Sequence, residues 1–280
     1  MPSSPNNAGG LSKLYGEHLL LGATFKDGRV VERYANEQPA GDVLLSDISD
    51  MSVLLFAGNV AESFANVGFA GKELSIGECA FEAVLTGEGT VVSIPLLVRT
   101  GQHEFIACDI SPRGDVLSGW LSFLSSVNEG GNEPFAGLDT QDATGTHVAL
   151  LLAGDVADRV LSDYIKQGER LPKRGHVARC MLDDIPCIVV CVGLGTTPAY
   201  LLLVPPLRAV ALWRSLLSFP EVVPVGRKAL EGLFVSKLPW AYCLSHGGTL
   251  RMDEKTLAGE GLIRSNRSFV GARGLNSQKG

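Results

Sequence analysis

An acidic residue placed directly after a strand is the first candidate for chemistry in this sequence. Asp109 follows the strand-like run 104–108 and comes just before Ser111 and Pro112, which are typical of a helix start. A carboxylate at a strand end that points into a cleft could bind a cationic substrate or act as a base. It could instead serve only the start of the helix, together with Asp115. Asp109 is the one catalytic candidate, and both interpretations stay open.

The other reactive residue types do not form a recognisable centre. The sequence has six cysteines but no CxxC pair; Cys187 and Cys191 share one face of a strand, with Cys180 upstream. This spacing favours small buried side chains over a metal site. His246 belongs to no nucleophilic triad pattern and is interpreted as a loop histidine. The sequence therefore predicts no metal.

Composition excludes several classes of partner. The 280 residues carry a net charge of −6, so no basic field is available to hold nucleic acid. The first residues lack the charged and apolar regions of a signal peptide. The longest apolar runs, at 148–153 and 200–206, are too short to cross a bilayer. We expect a cytoplasmic protein that binds neither membrane nor nucleic acid.

The chain contains an internal repeat. The segment 54–62, LLFAGNVAE, reappears as LLLAGDVAD at 150–158, and both predict a buried strand, a glycine turn and a helix. The offset of 96 residues (150 minus 54) also takes Phe105 to Leu201, and each of these opens a further strand and helix. Agreement at two separate places under one offset indicates a duplication.

The repeat predicts an α+β protein with two similar lobes. We place the first lobe at 11–127 and the second at 146–273, joined by a linker at 128–145 that is rich in Gly, Asn, Asp and Thr. Each lobe should be a mostly antiparallel sheet with two helices on one face. Residues 1–10 and 274–280 are predicted to be disordered. A small-molecule site is expected in the cleft between the lobes.

Several segments, in the same order along the chain, resemble the aminomethyltransferase (glycine-cleavage T-protein) superfamily. The resemblance covers roughly residues 11–275 and depends on the order and spacing of motifs that are individually short. These are LYGEHLLLGA at 14–23, LSDISDM at 45–51, FAGNVA at 56–61, GTVVSIPLLVR at 89–99, LLLVP at 201–205, ALWRSLL at 211–217 and SFVG at 268–271.

This resemblance implies a fold and a ligand. Members of the family fold as pseudo-duplicated α+β lobes around a central channel that binds folate. The cofactor implied is tetrahydrofolate, and the positions that match the channel are Met51, Asp109, Tyr200 and Arg227. Asp109 stands where the family commonly has asparagine.

The sequence departs from the family where the family meets the pterin with polar groups. An acidic pair that includes the catalytic aspartate is replaced by Ser93 and Ile94, and a nearby tyrosine is replaced by Phe81. A glutamate that holds the pterin ring is replaced by Thr197. Serine cannot supply the charge of a carboxylate, and isoleucine removes the polar group altogether.

The resemblance therefore implies a divergent tetrahydrofolate-binding one-carbon transferase, moving a methyl or aminomethyl group, without the family's catalytic aspartate. Such a transfer can rely largely on positioning of the donor. Two alternatives stay open, a non-catalytic folate-binding protein and a partner subunit of a larger enzyme. The second is similar to the sarcosine oxidase γ-subunit, which also lacks the family's C-terminal barrel. The expected partners are a folate-type small molecule and a partner subunit or second copy of the chain.

Overall fold

A computed structural model describes residues 12–28, 30–37, 41–128, 130–244, 250 and 252–277. His246 and the stretch 1–10 lie outside the described residues. The strands are β1 (Ala23–Lys26), β2 (Val30–Tyr34), β3 (Val43–Asp47), β4 (Ser52–Ala57), β5 (Cys79–Phe81), β6 (Val84–Leu85), β7 (Val91–Ser93), β8 (Leu96–Gly101), β9 (Glu104–Asp109), β10 (Asp139–Asp142), β11 (Val148–Gly154), β12 (His176–Leu182), β13 (Ile185–Cys191), β14 (Ala199–Val204) and β15 (Val222–Pro224).

Most of the helices follow a strand in the chain. They are α1 (Tyr15–Leu20), α2 (Ala61–Gly68), α3 (Gly114–Ser125), α4 (Ala157–Ser162), α5 (Ala209–Leu217), α6 (Arg227–Lys237), α7 (Ala241–Leu244), α8 (Glu254–Gly259) and α9 (Ala272–Ser277). Within the described ranges, none of them has the length and apolar character needed to cross a membrane.

Two larger sheets carry the duplicated pattern. The first has the strand order β10-β4-β9-β8-β5, and the second has β12-β13-β14-β11-β3-β15. The order β4-β9-β8-β5 of the first half therefore recurs as β11-β14-β13-β12 in the second, with antiparallel pairing throughout. The α+β fold with duplicated, mostly antiparallel lobes is confirmed.

The repeat is one residue out of step in its second strand. Phe56 pairs with Phe105 in the first sheet, and Leu152 pairs with Tyr200 in the second. The residue equivalent to Phe105 is thus Tyr200, rather than the Leu201 that a constant offset predicts. A slip of one residue moves every side chain of a strand to the opposite face, so this correction decides where Tyr200 points.

The two halves exchange one strand each. β3 precedes β4 in the chain but pairs with β11, while β10 precedes β11 but pairs with β4. The stretch 128–145, predicted as a linker, therefore contributes an edge strand to the first sheet. β3 lies before residue 127 in the chain but belongs to the second sheet. A boundary at 127 therefore separates the two halves of the sequence without separating the two sheets. The lobe limits 11–127 and 146–273 stay a prediction.

The layers follow from which faces are apolar. Along β11 and β14 every residue but the last of β11 is buried, because both faces are covered. One face packs on Val160, Trp213 and Leu216 of α4 and α5. The other packs through Leu151, Leu201 and Leu203 on Met51, Leu96 and Val98 of the first half. The two sheets thus face each other, with helices on the outside.

The C-terminal part of the chain closes one end of this central core. Leu230 of α6 is buried there, with Leu233 and Phe234 packed beside it. The chain then forms a smaller cluster against the first half, which includes Trp240 and Leu275. Leu275 belongs to α9, so the helix extends into the stretch 274–280 that composition predicts to be disordered. Burial of this leucine accounts for the order.

Candidate functional site

A cavity opens beside α6, at the end of the first sheet. Its empty space is about 560 Å³, part of it open to solvent. One wall comes from the first half of the chain and the other from α6 and the residues that follow it. The lining residues of this α6 pocket are Phe81, Ile94, Ile110, Ser111, Pro112, Arg227, Leu230, Glu231, Phe234, Val235, Trp240 and Ala241.

Arg227 joins α6 to the rest of the pocket. It is the first residue of α6, and its Nη1 donates to the backbone oxygen of Ile110 at 3.0 Å. Its Nη2 forms an ion pair with Asp50, in the turn between β3 and β4. The side chain is mostly buried. Arg227 therefore fixes the start of the helix against the first half of the chain, while its charge is already matched by one acid.

Asp109 lies behind the pocket wall, at the end of β9. Its Oδ2 accepts a hydrogen bond of 2.5 Å from Ser93 Oγ, and its Oδ1 accepts one of 2.9 Å from the backbone N–H of Ser111. Burial raises the pKa of Asp109, although the hydrogen bonds from Ser111 and Ser93 oppose the shift. Ser111 lines the pocket, and its hydroxyl lies 3.3 Å from that of Ser93. Asp109 can therefore reach a ligand only through these hydroxyls.

The other two predicted cofactor contacts lie elsewhere. Met51 is 3% exposed and packs in the apolar core between the sheets. Tyr200 is also buried, and its hydroxyl donates to Asp158 Oδ1 at 2.7 Å in a second cavity. Of the four predicted residues, Arg227 lines the α6 pocket and Asp109 lies next to it. A role for Met51 or Tyr200 in holding a cofactor remains a prediction.

Two departures from the family pattern are brought together in the pocket. Phe81 and Ile94 both line it, whereas Thr197 lines the second cavity with Tyr200. Sequence reasoning missed Trp240, whose ring lies edge-on to Phe81 with centroids 5.1 Å apart. It also missed Glu231 and Phe234. No motif marks these residues, and the only signal was the position of the helix that begins at Arg227.

The five cysteines whose side chains the structure describes are not arranged for metal binding or nucleophilic attack. All five are buried free thiols, and Cys180 faces Cys187 across β12 and β13. Burial raises the pKa of Cys79 and of Cys187 to about 12, so both stay protonated and unreactive near neutral pH. Within the described ranges, no group of His, Cys, Asp and Glu side chains is placed to hold a metal ion.

Comparison with known proteins identifies the fold. No protein-family model matches the sequence, and no curated protein matches it either. Among solved structures, the chain is similar to the glycine cleavage system aminomethyltransferase T from Bartonella henselae, with a TM-score of 0.76 and 21% identity over 97% of this chain and 75% of that one. A heterotetrameric sarcosine oxidase from Corynebacterium sp. U-96 gives a TM-score of 0.43 and 15% identity over 80% of this chain and 95% of that one. The chain has the aminomethyltransferase T fold.

Proposed function

We propose that this protein is a tetrahydrofolate-binding one-carbon transferase of the aminomethyltransferase T type, with its ligand in the α6 pocket. One observation carries the proposal. Three positions that sequence resemblance assigns to the family's folate site, Phe81, Ile94 and Arg227, line a single cavity. Arg227 is more than 130 residues from the other two in the chain, so their closeness in sequence does not account for its place beside them. The overall fold supports the same assignment.

The pocket suits a reduced pterin. Phe81, Phe234 and Trp240 provide aromatic walls for a flat ring. Glu231 provides a carboxylate, which can accept the paired N–H donors on the edge of a pterin. Residues of the right chemistry are therefore present, although the carboxylate comes from α6 and not from the acidic pair of the family.

When bound, tetrahydrofolate would supply the nitrogen that takes up a one-carbon unit. The chain's own contribution is mainly positioning, because Ser93 and Ile94 offer no charge. Ile94 and Trp240 exclude water from the inner wall. Asp109 can hold a proton behind that wall, and the hydroxyls of Ser93 and Ser111 connect it to the pocket.

Calorimetric titration with tetrahydrofolate tests the proposal. We expect saturable binding by the wild-type chain and weaker binding by Glu231→Gln. Loss of a charge-assisted hydrogen bond, about 1.5–3 kcal/mol, corresponds to roughly 10- to 100-fold in Kd. Glu231 is exposed, so the variant should fold normally. Glu260→Gln, on an exposed position outside the pocket, is the matched control. No binding by folded wild-type protein would contradict the proposal.

The non-catalytic alternative has one observation in its favour. Asp109, the acid that the hydroxyls of Ser93 and Ser111 connect to the pocket, is only 1% exposed and is not itself a lining residue. A protein that only binds folate, alone or as a partner subunit, needs no such acid. Tight tetrahydrofolate binding without transfer from methylated or aminomethylated donors would support this alternative over the transferase.

A further inference from the structure

A second cavity lies in the second half of the chain. It shares no lining residue with the α6 pocket. It lies between α4, the loop 171–174 and the turn 193–198, and we call it the Tyr200 pocket. Its empty space is about 850 Å³, part of it open to solvent. Lining groups include the Tyr200 hydroxyl, the Asp158 carboxylate and the Cys191 thiol. None of these has a part in the proposed one-carbon transfer.

The duplication shows what fills this place in the first half. Arg99 of β8 pairs with Phe105 of β9, and Cys191 of β13 pairs with Tyr200 of β14. Because Phe105 and Tyr200 are equivalent, Arg99 and Cys191 are equivalent too. The acid is also repeated, since Glu62 and Asp158 are the second residues of α2 and α4.

In the first half, the guanidinium of Arg99 occupies this space. It donates to both carboxylate oxygens of Glu62, at 2.8 and 2.7 Å, and to the backbone oxygen of Leu74 at 2.8 Å. Its Cζ lies 5.1 Å from the centre of the Phe105 ring. In the second half, the short side chain of Cys191 leaves the equivalent volume open. Among the residues that the structure describes, Asp158 there receives one hydrogen bond, from Tyr200.

Two cations border the open volume. Within the described part of the chain, the side chains of Lys173 and Arg174 have no hydrogen-bond or ion-pair partner, and both are exposed. Gly193 allows Arg174 to lie against the backbone, since a Cβ there would come within 2.5 Å of the Arg174 Nε. The pocket therefore offers an acid and, separately, two unmatched cations.

We propose that the Tyr200 pocket binds a small zwitterion that carries a guanidinium or amine at one end and a carboxylate at the other, as a basic amino acid does. The cationic end takes the place that Arg99 fills in the first half and pairs with Asp158. The carboxylate pairs with Lys173 and Arg174, for which Arg174 offers a planar, bidentate donor. A ligand with only one of these charges would leave part of the pocket repelled or unpaired.

Free arginine and agmatine, which lacks the carboxylate, are the probes for calorimetric titration of the full chain. We expect arginine to bind and agmatine to bind about ten-fold more weakly or worse. Asp158→Asn should weaken arginine binding about ten-fold, whereas Asp163→Asn, at the end of the same helix, should leave it unchanged. Replacing both cations, as Lys173→Gln with Arg174→Gln, should reduce arginine binding to the level of agmatine.

The sharpest variant is Cys191→Arg, which rebuilds the arrangement of the first half. Its own guanidinium should occupy the pocket, abolish arginine binding and raise the melting temperature. Arginine binding that persists in folded Cys191→Arg protein would overturn the proposal, because the ligand would then lie elsewhere. No binding of arginine by the wild-type chain, or equal binding of agmatine, would overturn it as well. If Cys191→Arg does not fold, the proposal is tested by Asp158→Asn: unchanged arginine binding by that variant would overturn it.

Discussion

His18 Nε2 lies 2.8 Å from Asp47 Oδ2, and neither side chain is more than 5% exposed. The other ring nitrogen of His18 lies 2.9 Å from the Tyr34 hydroxyl, while Ser12 and Ser49 donate to the Asp47 carboxylate. Burial alone would raise the pKa of Asp47, but its hydrogen bonds and the charge of His18 hold the pKa below its ordinary value. This network connects α1 and β2 to the end of β3.

Removing the charge of the Asp47 carboxylate should destabilise the fold. For Asp47→Asn we expect a loss of about 3–5 kcal/mol in the free energy of unfolding, because a buried pair is broken on one side. Urea denaturation measures this, with the exposed Asp42→Asn as control. The folded-state pKa is depressed, so the contribution is complete above the ordinary value of 3.8 and is lost as the pH falls through the folded pKa. Equal stability of the two variants near neutral pH would contradict the prediction.

Glu82 should have the opposite dependence on pH. It is 1% exposed, and its Oε1 has no hydrogen-bond partner among the described residues. Burial raises the pKa of Glu82 to about 8 from 4.5, although the charges of Arg264 and Lys72 and a backbone hydrogen bond from Gly71 oppose the shift. The folded chain thus holds a proton here that the unfolded chain releases. Stability should fall by up to about 1.4 kcal/mol per pH unit between pH 4.5 and 8.

Glu82→Gln isolates this effect. The amide cannot ionise, so the variant should lose the decline between these pH values and should gain stability most at the alkaline end. Thermal unfolding at a series of pH values measures the difference. Glu88→Gln, at an exposed position nearby, should keep the wild-type profile. Parallel profiles for wild type and Glu82→Gln would show that Glu82 is ionised in the folded chain.

Arg99 should matter more to stability than its partner Glu62. The arginine is 7% exposed and also donates to the backbone oxygens of Leu74 and Gln102. Arg99→Leu would remove the donor to both oxygens, of which that of Leu74 is buried, and should cost about 3 kcal/mol or more. Glu62→Gln keeps one acceptor oxygen at a half-exposed position and should cost about 1 kcal/mol. Urea titrations that rank the two losses in reverse would refute this assignment.

Binding of a ligand in the α6 pocket should change the fluorescence of one tryptophan, Trp240. Trp240 lines the pocket, whereas Trp213 lies in the core of the second half and Trp120 on α3. Tetrahydrofolate should therefore quench the fluorescence of Trp240 alone. In Trp240→Phe the quench should disappear while calorimetry still detects binding. Quenching that survives in Trp240→Phe would place the ligand outside this pocket.

The sequence was informative where the pattern is local. The strands and helices of the repeat follow from residue type and spacing. The face that Tyr200 presents could not be predicted, because residues 199–204 are apolar throughout and show no alternation. Leu201 and Leu203 point to the core between the sheets, whereas Tyr200 and Leu202 point to the helices. A shift of one residue in the repeat therefore reverses the face on which the Tyr200 side chain lies.

The strands that β3 and β10 pair with could not be predicted either, because the residues of a strand do not determine which neighbour it pairs with. Phe81, Ile94 and Arg227 converge because the end of β5 and the turn between β7 and β8 meet the start of α6. Their family positions suggested this, but the aromatic wall around Trp240 has no counterpart in the motifs. Phe81, Ile94 and Arg227 could therefore be found from the sequence, whereas Trp240, Phe234 and Glu231 could not.

The exchange of β3 and β10 has a consequence for how the chain is made. Asp47 at the end of β3 pairs with Leu150, so the ribosome must add about a hundred residues before β3 finds its neighbour. Until then the apolar residues Val43, Leu44 and Leu45 have no sheet to join. The first sheet likewise waits for β10 to complete its edge. The first half therefore cannot complete its sheet as it emerges, and β3 stays an unpaired strand, open to wrong pairing, until β11 has been made.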